Sequence, residues 1–275
     1  MAFSGVPVRE ALDSALVALK ASGVDTPRLD AEVLLAHALG IDRTRLVLEA
    51  DRPVEGAAVR AFRDAVRRRT VGREPVAYIT GTRGFRHLDL VVDPRVLIPR
   101  PETETLVEAA LGLPQGARVH DLGTGSGAIA LALKQERPDL VVSASDASPG
   151  AVAVARANAE RLGLDVAFHV AHWLDGLDLE LDALVSNPPY VAEGQRASLA
   201  PEITRHEPSE ALFAGPDGLD AYRVIAPLAA AWAAVEVGEG QAAAVAALFA
   251  GAGLTGSTVH RDLAGIERVV VAWRS

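Results

Sequence analysis

The stretch VSNPPYV, residues 185–191, closes an apolar run with an amide, two prolines and a phenol. Proline donates nothing to a sheet ladder and holds φ near about −65°, so a strand stops here and a rigid corner begins. The Asn187 side chain carries an acceptor oxygen, and the Pro188 carbonyl is an acceptor with no competing N–H beside it. Two fixed acceptors at one corner match a planar NH2 group, one for each hydrogen. Tyr190 adds an aromatic surface on which a flat conjugated group can lie.

A second stretch, DLGTGSGA, sets Asp121 ahead of Gly123, Gly125 and Gly127. Glycines keep a turn tight and let a ligand lie on bare backbone before a helix N-terminus. Asp146 follows Gly123 by 23 residues, at the end of the next strand, where a carboxylate can accept from ribose hydroxyls. Together they point to an adenosine-containing ligand without saying which, because GTGSGA also satisfies the G-x-G-x-x-[GA] dinucleotide pattern. Asp121 and Asn187 are 66 residues apart, about three β-α units. Both therefore belong on one rim of a sheet whose first and fourth strands are neighbours across its switch point.

The elements that must supply this rim follow from residue 117 onward. ARVHDLG, DLVVSASD, VAFHVA, LDALVSN and AAVEVG read as strands, and helices run between them. One helix passes through GAIALALKQERP; another opens with Ser148 as N-cap and Pro149 behind it. Such alternation means an α/β fold with a mainly parallel, doubly wound sheet. Upstream, β-rich runs broken at Gly81, Gly84 and Pro94 read as a hairpin, and a helix restarts near Pro101. Residues 8–70 read as helices. Leu12, Ala15, Leu16 and Leu19 make one stripe, Gly40 stops a second helix, and a third spans about 56–70. Its Val59, Phe62 and Val66 face inward, while Arg67, Arg68 and Arg69 fall on the outer face as a solvated helix end or a docking patch. The expected organisation is a helical domain at 1–72, a hairpin linker at 73–100 and a sheet domain at 101–275.

Composition removes several chemistries. The chain has no cysteine, so disulfides, Cys-ligated zinc and thiol catalysis are excluded. Its seven histidines form no H-E-x-x-H or carboxylate cluster, so no metal is expected, and no G-x-S-x-G elbow occurs. No window approaches a membrane span and no signal-peptide pattern opens the chain, so a cytoplasmic protein is expected. Net charge is −9, split as +1 over residues 1–72 and −10 over the rest. The acidic portion argues against a phosphate-binding surface.

Asp-x-Gly-x-Gly-x-Gly followed by Asn-Pro-Pro-Tyr resembles the S-adenosylmethionine-dependent methyltransferases of planar amino nitrogens. More closely, five segments in order resemble the HemK/PrmC family, the N5-glutamine methyltransferases of peptide chain release factors. They are EPVAYITG (74–81), LIPRPETETLVEAAL (97–111), DLGTGSGAIALAL (121–133), VSNPPYV (185–191) and HEPSEALFAGPDGLDAYRVI (206–225). The resemblance implies a Rossmann-like class I methyltransferase fold with a seven-stranded sheet and a small N-terminal helical domain that docks the substrate. It implies S-adenosyl-L-methionine as cofactor, S-adenosyl-L-homocysteine as product, and a monomer acting on the Gly-Gly-Gln glutamine of class 1 release factors. Asp121, Gly123, Thr124, Gly125, Gly127, Asp146, Ala147, Trp173 and Asn187 would then hold the cofactor. Arg100, Pro101, Glu102, Asn187, Pro188, Pro189 and Tyr190 would hold the substrate, with Asn187, Pro188 and Tyr190 carrying catalysis.

Two positions depart from the family. His172 stands where an acid usually precedes Trp or Leu, and LAAAWAAVEVGEG lacks a Gly-Gly turn, so a short fifth strand is expected. Competing readings are a ribosomal-protein glutamine methyltransferase, a DNA or RNA amino-methyltransferase, and, from the glycine loop alone, a nicotinamide oxidoreductase or a non-catalytic nucleotide module. Acidic charge and the whole-length resemblance disfavour a nucleic-acid enzyme. Asn-Pro-Pro-Tyr disfavours the last pair.

Overall fold

A computed structural model describes residues 5–229 and 231–274. The chain divides into two compact units, residues 1–81 with 200–206, and residues 82–199 with 207–275.

In the first unit, α1 (Val8–Ala21), α2 (Pro27–Leu39), α3 (Arg43–Leu48), α4 (Gly56–Thr70) and α5 (Val76–Thr80) follow one another. The two-residue strands β1 (Val6–Pro7) and β2 (Pro53–Val54) pair antiparallel. Leu12, Leu19, Leu34, Leu35 and Phe62 make a core at helical spacing. Two expectations change here. Val76–Thr80 is a helix rather than a strand: the Pro75 carbonyl accepts from the N–H groups of Tyr78 and Ile79, and Gly81 ends the turn at φ 76°. Arg69 is not on the outer face of α4, because it lies seven residues past Phe62 and three past Val66, on their stripe. It is 6% exposed; its Nε donates to Asp30 Oδ2 at 2.6 Å and its Nη1 lies 3.2 Å from Glu202 Oε1. Glu202 comes from α9 (Pro201–His206), which belongs to this unit. Arg68 pairs with Glu74, and Arg67 pairs with Asp64 at the surface.

The second unit opens with the hairpin of β3 (Thr82–Phe85) and β4 (Leu88–Val91), followed by α6 (Glu104–Ala110). Its sheet is built from β5 (Arg118–Leu122), β6 (Val141–Asp146), β7 (Ala167–Val170), β8 (Ala183–Ser186), β9 (Trp232–Glu236), β10 (Gly256–Arg261) and β11 (Glu267–Trp273). The seven strands run in the order β10-β11-β9-β8-β5-β6-β7. All neighbours from β7 to β9 are parallel, and β11 is antiparallel to both β9 and β10. The predicted first and fourth strands, β5 and β8, lie side by side.

Helices α7 (Ala128–Glu136), α8 (Pro149–Leu162), α10 (Asp220–Ile225) and α11 (Ala242–Gly251) complete the layers. The period of two along β9 and β11 divides the apolar side chains. Ala234, Val269 and Val271 join the core containing Leu106, Leu131 and Val152. Ala233, Val235 and Val270 join the core containing Tyr222, Ile225 and Phe249. The five-residue β9 is paired along both sides, so its shortness leaves the sheet continuous. Asn158, fully buried on α8, accepts from Val91 N–H and donates to the carbonyls of Val91 and Ser126, tying the hairpin to the glycine loop.

Candidate active site

Ladder register builds the site. Leu122 of β5 is level with Ser145 of β6 and Ser186 of β8, and Ser186 is level with Val235 of β9. One residue further on, Asp146, Gly123, Asn187 and Glu236 therefore form a row across four carboxyl ends. The row sits at the switch point, where the chain runs outward from β5 through β6 to β7 and returns at β8.

A cleft of about 250 Å3 opens there. Of the residues singled out in the sequence, Gly123, Gly125, Asp146, Ala147, Trp173, Asn187 and Pro189 line it. Asp121, Thr124, Gly127, Pro188, Tyr190, Arg100, Pro101 and Glu102 lie outside its lining. Two segments not assigned from the sequence also contribute: Arg95 to Leu97, and Pro208 with Glu210 and Ala211.

The three glycines do different things. Gly123 and Gly125 have φ of 70° and 55°, and among the described residues nothing lies within 4 Å of where a Cβ would stand. A ligand can reach their backbone. Gly127, at φ 85°, would bring a Cβ to 3.0 Å from Leu131 Cδ1 and 3.2 Å from Ala155 Cβ, so it serves the packing of helix on sheet. Asp121 is fully buried beneath the loop; its Oδ2 accepts from Thr124 Oγ1 at 2.6 Å, and burial pushes its carboxyl up to about 7.

Asp146 is held by the backbone. Its Oδ2 accepts from Gly125 N–H and its Oδ1 from Ser148 N–H, each at 2.9 Å. Each carboxylate oxygen keeps a lone-pair site for another donor, a pattern that suits two adjacent hydroxyls. Burial raises its pKa, helped by the charge of Glu210 nearby. Trp173 sits at φ 54°, and its carbonyl accepts from Ser145 Oγ at 2.8 Å. Ser145 has one hydroxyl hydrogen, so its oxygen must accept from His120 Nε2, 2.9 Å away, while Nδ1 accepts from Ser143 Oγ at 2.8 Å. His120 is thereby a neutral Nε2–H tautomer, and burial lowers its pKa to about 4. His172 lines the cleft beside Trp173 with most of its ring in solvent, 3.8 Å from Asp175 Oδ2.

The opposite wall is held by side chains. Asn187 Nδ2 donates to Thr103 Oγ1 at 3.1 Å, which leaves the amide oxygen as the group to present. Thr103 lies buried in the 3-10 turn Pro101–Thr103. Tyr190 donates its hydroxyl to Glu236 Oε1 at 3.4 Å, and burial raises its pKa. The Tyr190 carbonyl accepts from Gln241 Nε2 at 3.0 Å, and Gln241 Oε1 accepts from Gly238 N–H at 2.9 Å. That amide clamps the corner to the end of β9. Ser186 Oγ donates to the Leu122 carbonyl at 2.7 Å, fixing β8 to β5 below it. Arg100 is engaged by buried Glu207 at 2.7 Å.

Comparison with known proteins gives the following. The family model PrmC N-terminal domain matches residues 10–81, and the model Methyltransferase small domain matches residues 102–213. The release factor glutamine methyltransferase of Rhodospirillum rubrum is 43% identical over 273 residues, covering 96% of this chain and 84% of that one. The protein of the same name from Geobacter sulfurreducens is 43% identical over 271 residues, covering 96% and 95%. The crystal structure of a methyltransferase from Pyrococcus furiosus, 15% identical, shares the fold at a TM-score of 0.51, covering 69% of this chain and 90% of that one.

Proposed function

This chain belongs to the release factor glutamine methyltransferase family, and from that premise we propose that it methylates the side-chain amide nitrogen of the Gly-Gly-Gln glutamine in class 1 peptide chain release factors, using S-adenosyl-L-methionine. The observation that carries the reading is the row that sets Asp146, Gly123 and Asn187 level on adjacent strands. Asp146 would take the ribose hydroxyls, Gly123 and Gly125 the amino-acid part, and Trp173 with Ala147 the adenine side. Asp121, Thr124 and Gly127 shape the loop from beneath. Glu210 would add a second carboxylate beside the cationic sulfonium.

When bound, S-adenosyl-L-methionine supplies an electrophilic methyl group on a sulfonium. The protein's task is to position an amide nitrogen, a poor nucleophile because its lone pair is delocalised. Asn187 Oδ1 and the Pro188 carbonyl would accept the two amide hydrogens, turning the nitrogen to the cleft and favouring the positive charge that develops on it. Alignment of this kind is worth several kcal/mol. Tyr190 and Pro189 would pack against the amide plane, and the nitrogen's proton can leave after transfer, so no strong base is required. The helical domain would dock the protein substrate, and Arg100, Pro101 and Glu102 would guide the glutamine loop. We place the enzyme in the cytoplasm as a monomer without a stable nucleic-acid partner. Among the described residues no helix is long and apolar enough to cross a membrane.

Radiolabelled S-adenosyl-L-methionine offered with a class 1 release factor, with the same factor lacking that glutamine, and with duplex DNA tests this directly. Label on the intact factor alone is expected. Label on DNA would move the activity to the nucleic-acid class.

A further inference from the structure

We infer that Thr103 and Glu236 are positioning residues that determine which end of the Asn187 side chain faces the substrate. An asparagine amide has two nearly isosteric ends with opposite polarity, one accepting and one donating. At this corner only one end is useful: an oxygen can receive a substrate NH2, whereas an NH2 would repel it. Nothing in Asn-Pro-Pro-Tyr itself selects between them.

The selection comes from behind. Glu236 is 1% exposed and, by register, level with Asn187, since Val235 pairs with Ser186. An ionised carboxylate can only accept. Its surroundings are Thr103 and Tyr190, whose hydroxyls favour its charged form, together with Glu102 and Arg268. Tyr190 donates to its Oε1. Its other oxygen, Oε2, is buried without a hydrogen-bond partner among the described residues, and the Thr103 hydroxyl, which favours the charged carboxylate, has one hydrogen to turn toward it. The Thr103 oxygen is then left with lone pairs on its other side, and Asn187 meets it with Nδ2 at 3.1 Å. Each link fixes the next: the acid makes Thr103 a donor, Thr103 makes the Asn187 NH2 its donor, and the Asn187 oxygen is turned outward. Neither Thr103 nor Glu236 lines the cleft. Their effect passes through Asn187. The inference rests on the role proposed above for Asn187.

Three variants separate this from packing. Thr103→Val keeps the shape and removes the hydroxyl; Thr103→Ser restores it. Glu236→Gln keeps the shape but can present an NH2 to Thr103, which frees Thr103 to point its hydrogen the other way. Burial pushes Glu236 up to about 7, so the comparison is made at pH 8, where it is ionised. Expected values for turnover on the release factor are a loss of about 10- to 100-fold in Thr103→Val and about 10-fold in Glu236→Gln, with Thr103→Ser within about threefold of wild type. These follow from one misdirected electrostatic contact in the transition state. KM for the release factor and Kd for S-adenosyl-L-homocysteine should move by less than about threefold. Wild-type turnover should fall as pH drops through 7, and Glu236→Gln should lose the part of that fall that belongs to Glu236, while Asp121, also near 7, titrates in both proteins.

A second readout needs no substrate. The side-chain NH2 resonance of Asn187, assigned by its loss in Asn187→Asp, should exchange slowly with solvent in wild type and rapidly in Thr103→Val. Unchanged exchange in Thr103→Val, or Ser no better than Val in turnover, overturns the inference. If wild type fails to methylate the factor while the exchange difference is present, the proposed function falls and the orientation device stands.

Discussion

On one side of the cleft, Gly123, Gly125 and Asp146 are placed by backbone bonds made within two adjacent strands and the loop between them. Gly123 and Thr124 N–H groups donate to the Ser145 carbonyl, and Gly125 and Ser148 N–H groups donate to Asp146. On the other side, Asn187 is held by Thr103, and the Tyr190 corner beside it by Glu236 and Gln241, side chains drawn from segments far apart in the chain. The first wall costs little to specify, because a ladder and a positive-φ turn position it. The second must choose an amide's polarity, and backbone geometry cannot do that. Mutations should therefore split by wall: ligand affinity and stability on the glycine side, turnover at nearly constant affinity and fold on the asparagine side.

Asn187→Ala gives the largest effect. It should lower turnover by about 100- to 1,000-fold, the scale of removing one preorganised polar contact from a transition state. The Kd for S-adenosyl-L-methionine, measured by calorimetry, should change by less than about threefold. A comparable loss in both would merge the two walls into one site.

Asp146→Ala should show the reverse. Hydrogen bonds to a charged group are worth about 1.5–3 kcal/mol, so affinity for the cofactor should fall roughly 10- to 100-fold, while turnover at saturation stays within a few-fold of wild type. If saturating cofactor failed to restore the rate, Asp146 would be acting on the reacting groups as well.

Within the glycine wall, Gly127 and Gly123 should respond differently. Gly127→Ala must seat a Cβ at 3.0 Å from Leu131 and adopt φ 85°, which should cost about 2–3 kcal/mol in urea unfolding. Gly123→Ala meets no neighbour and carries only the cost of its φ, about 1–2 kcal/mol. Yet Gly123→Ala should weaken cofactor binding more, because its methyl group would point into open cleft. Equal stability losses would mean the packing contact at Gly127 relaxes freely.

The same division decides what could be read from sequence. Gly123, Asp146 and Asn187 announce themselves through local pattern, and counting β-α units brings them together. The register that makes them level also carries Glu236, a lone acid in the apolar run AAVEVG, but an isolated charge there does not reveal its partner. Thr103 is invisible for the same reason: its hydrogen-bond partner, Asn187, lies 84 residues away in the chain. In the helical unit, Arg69 carries two conflicting local signals. Its spacing from Phe62 places it on the buried stripe, but three consecutive arginines suggest a solvated end. Only the tertiary pairing with Asp30 and Glu202 explains how a charge can sit there.

The smallest effect tests whether the asparagine wall trades stability for direction. Glu236 titrates near 4.5 when exposed and at about 7 in the fold, because burial outweighs Thr103, Tyr190 and Arg268, and Glu102 repels its charge. A raised carboxyl pKa contributes stability that is full below about 4.5 and is lost as pH rises through about 7. Asp121, also near 7, contributes with the same sign, and His120, lowered to about 4, with the opposite sign. Both are present in wild type and in Glu236→Gln, so they cancel in the difference between the two proteins. That difference should move in favour of the variant as pH rises from 5 to 8, by at most about 1.4 kcal/mol per pH unit. Thermal melts at both pH values should show it as a gain of a few degrees relative to wild type. A variant that is more stable at pH 8 yet slower in turnover means that the buried carboxylate is retained for the orientation of Asn187. A parallel fall in both would instead make Glu236 a structural residue, and the asparagine wall would then be held by shape, as the glycine wall is.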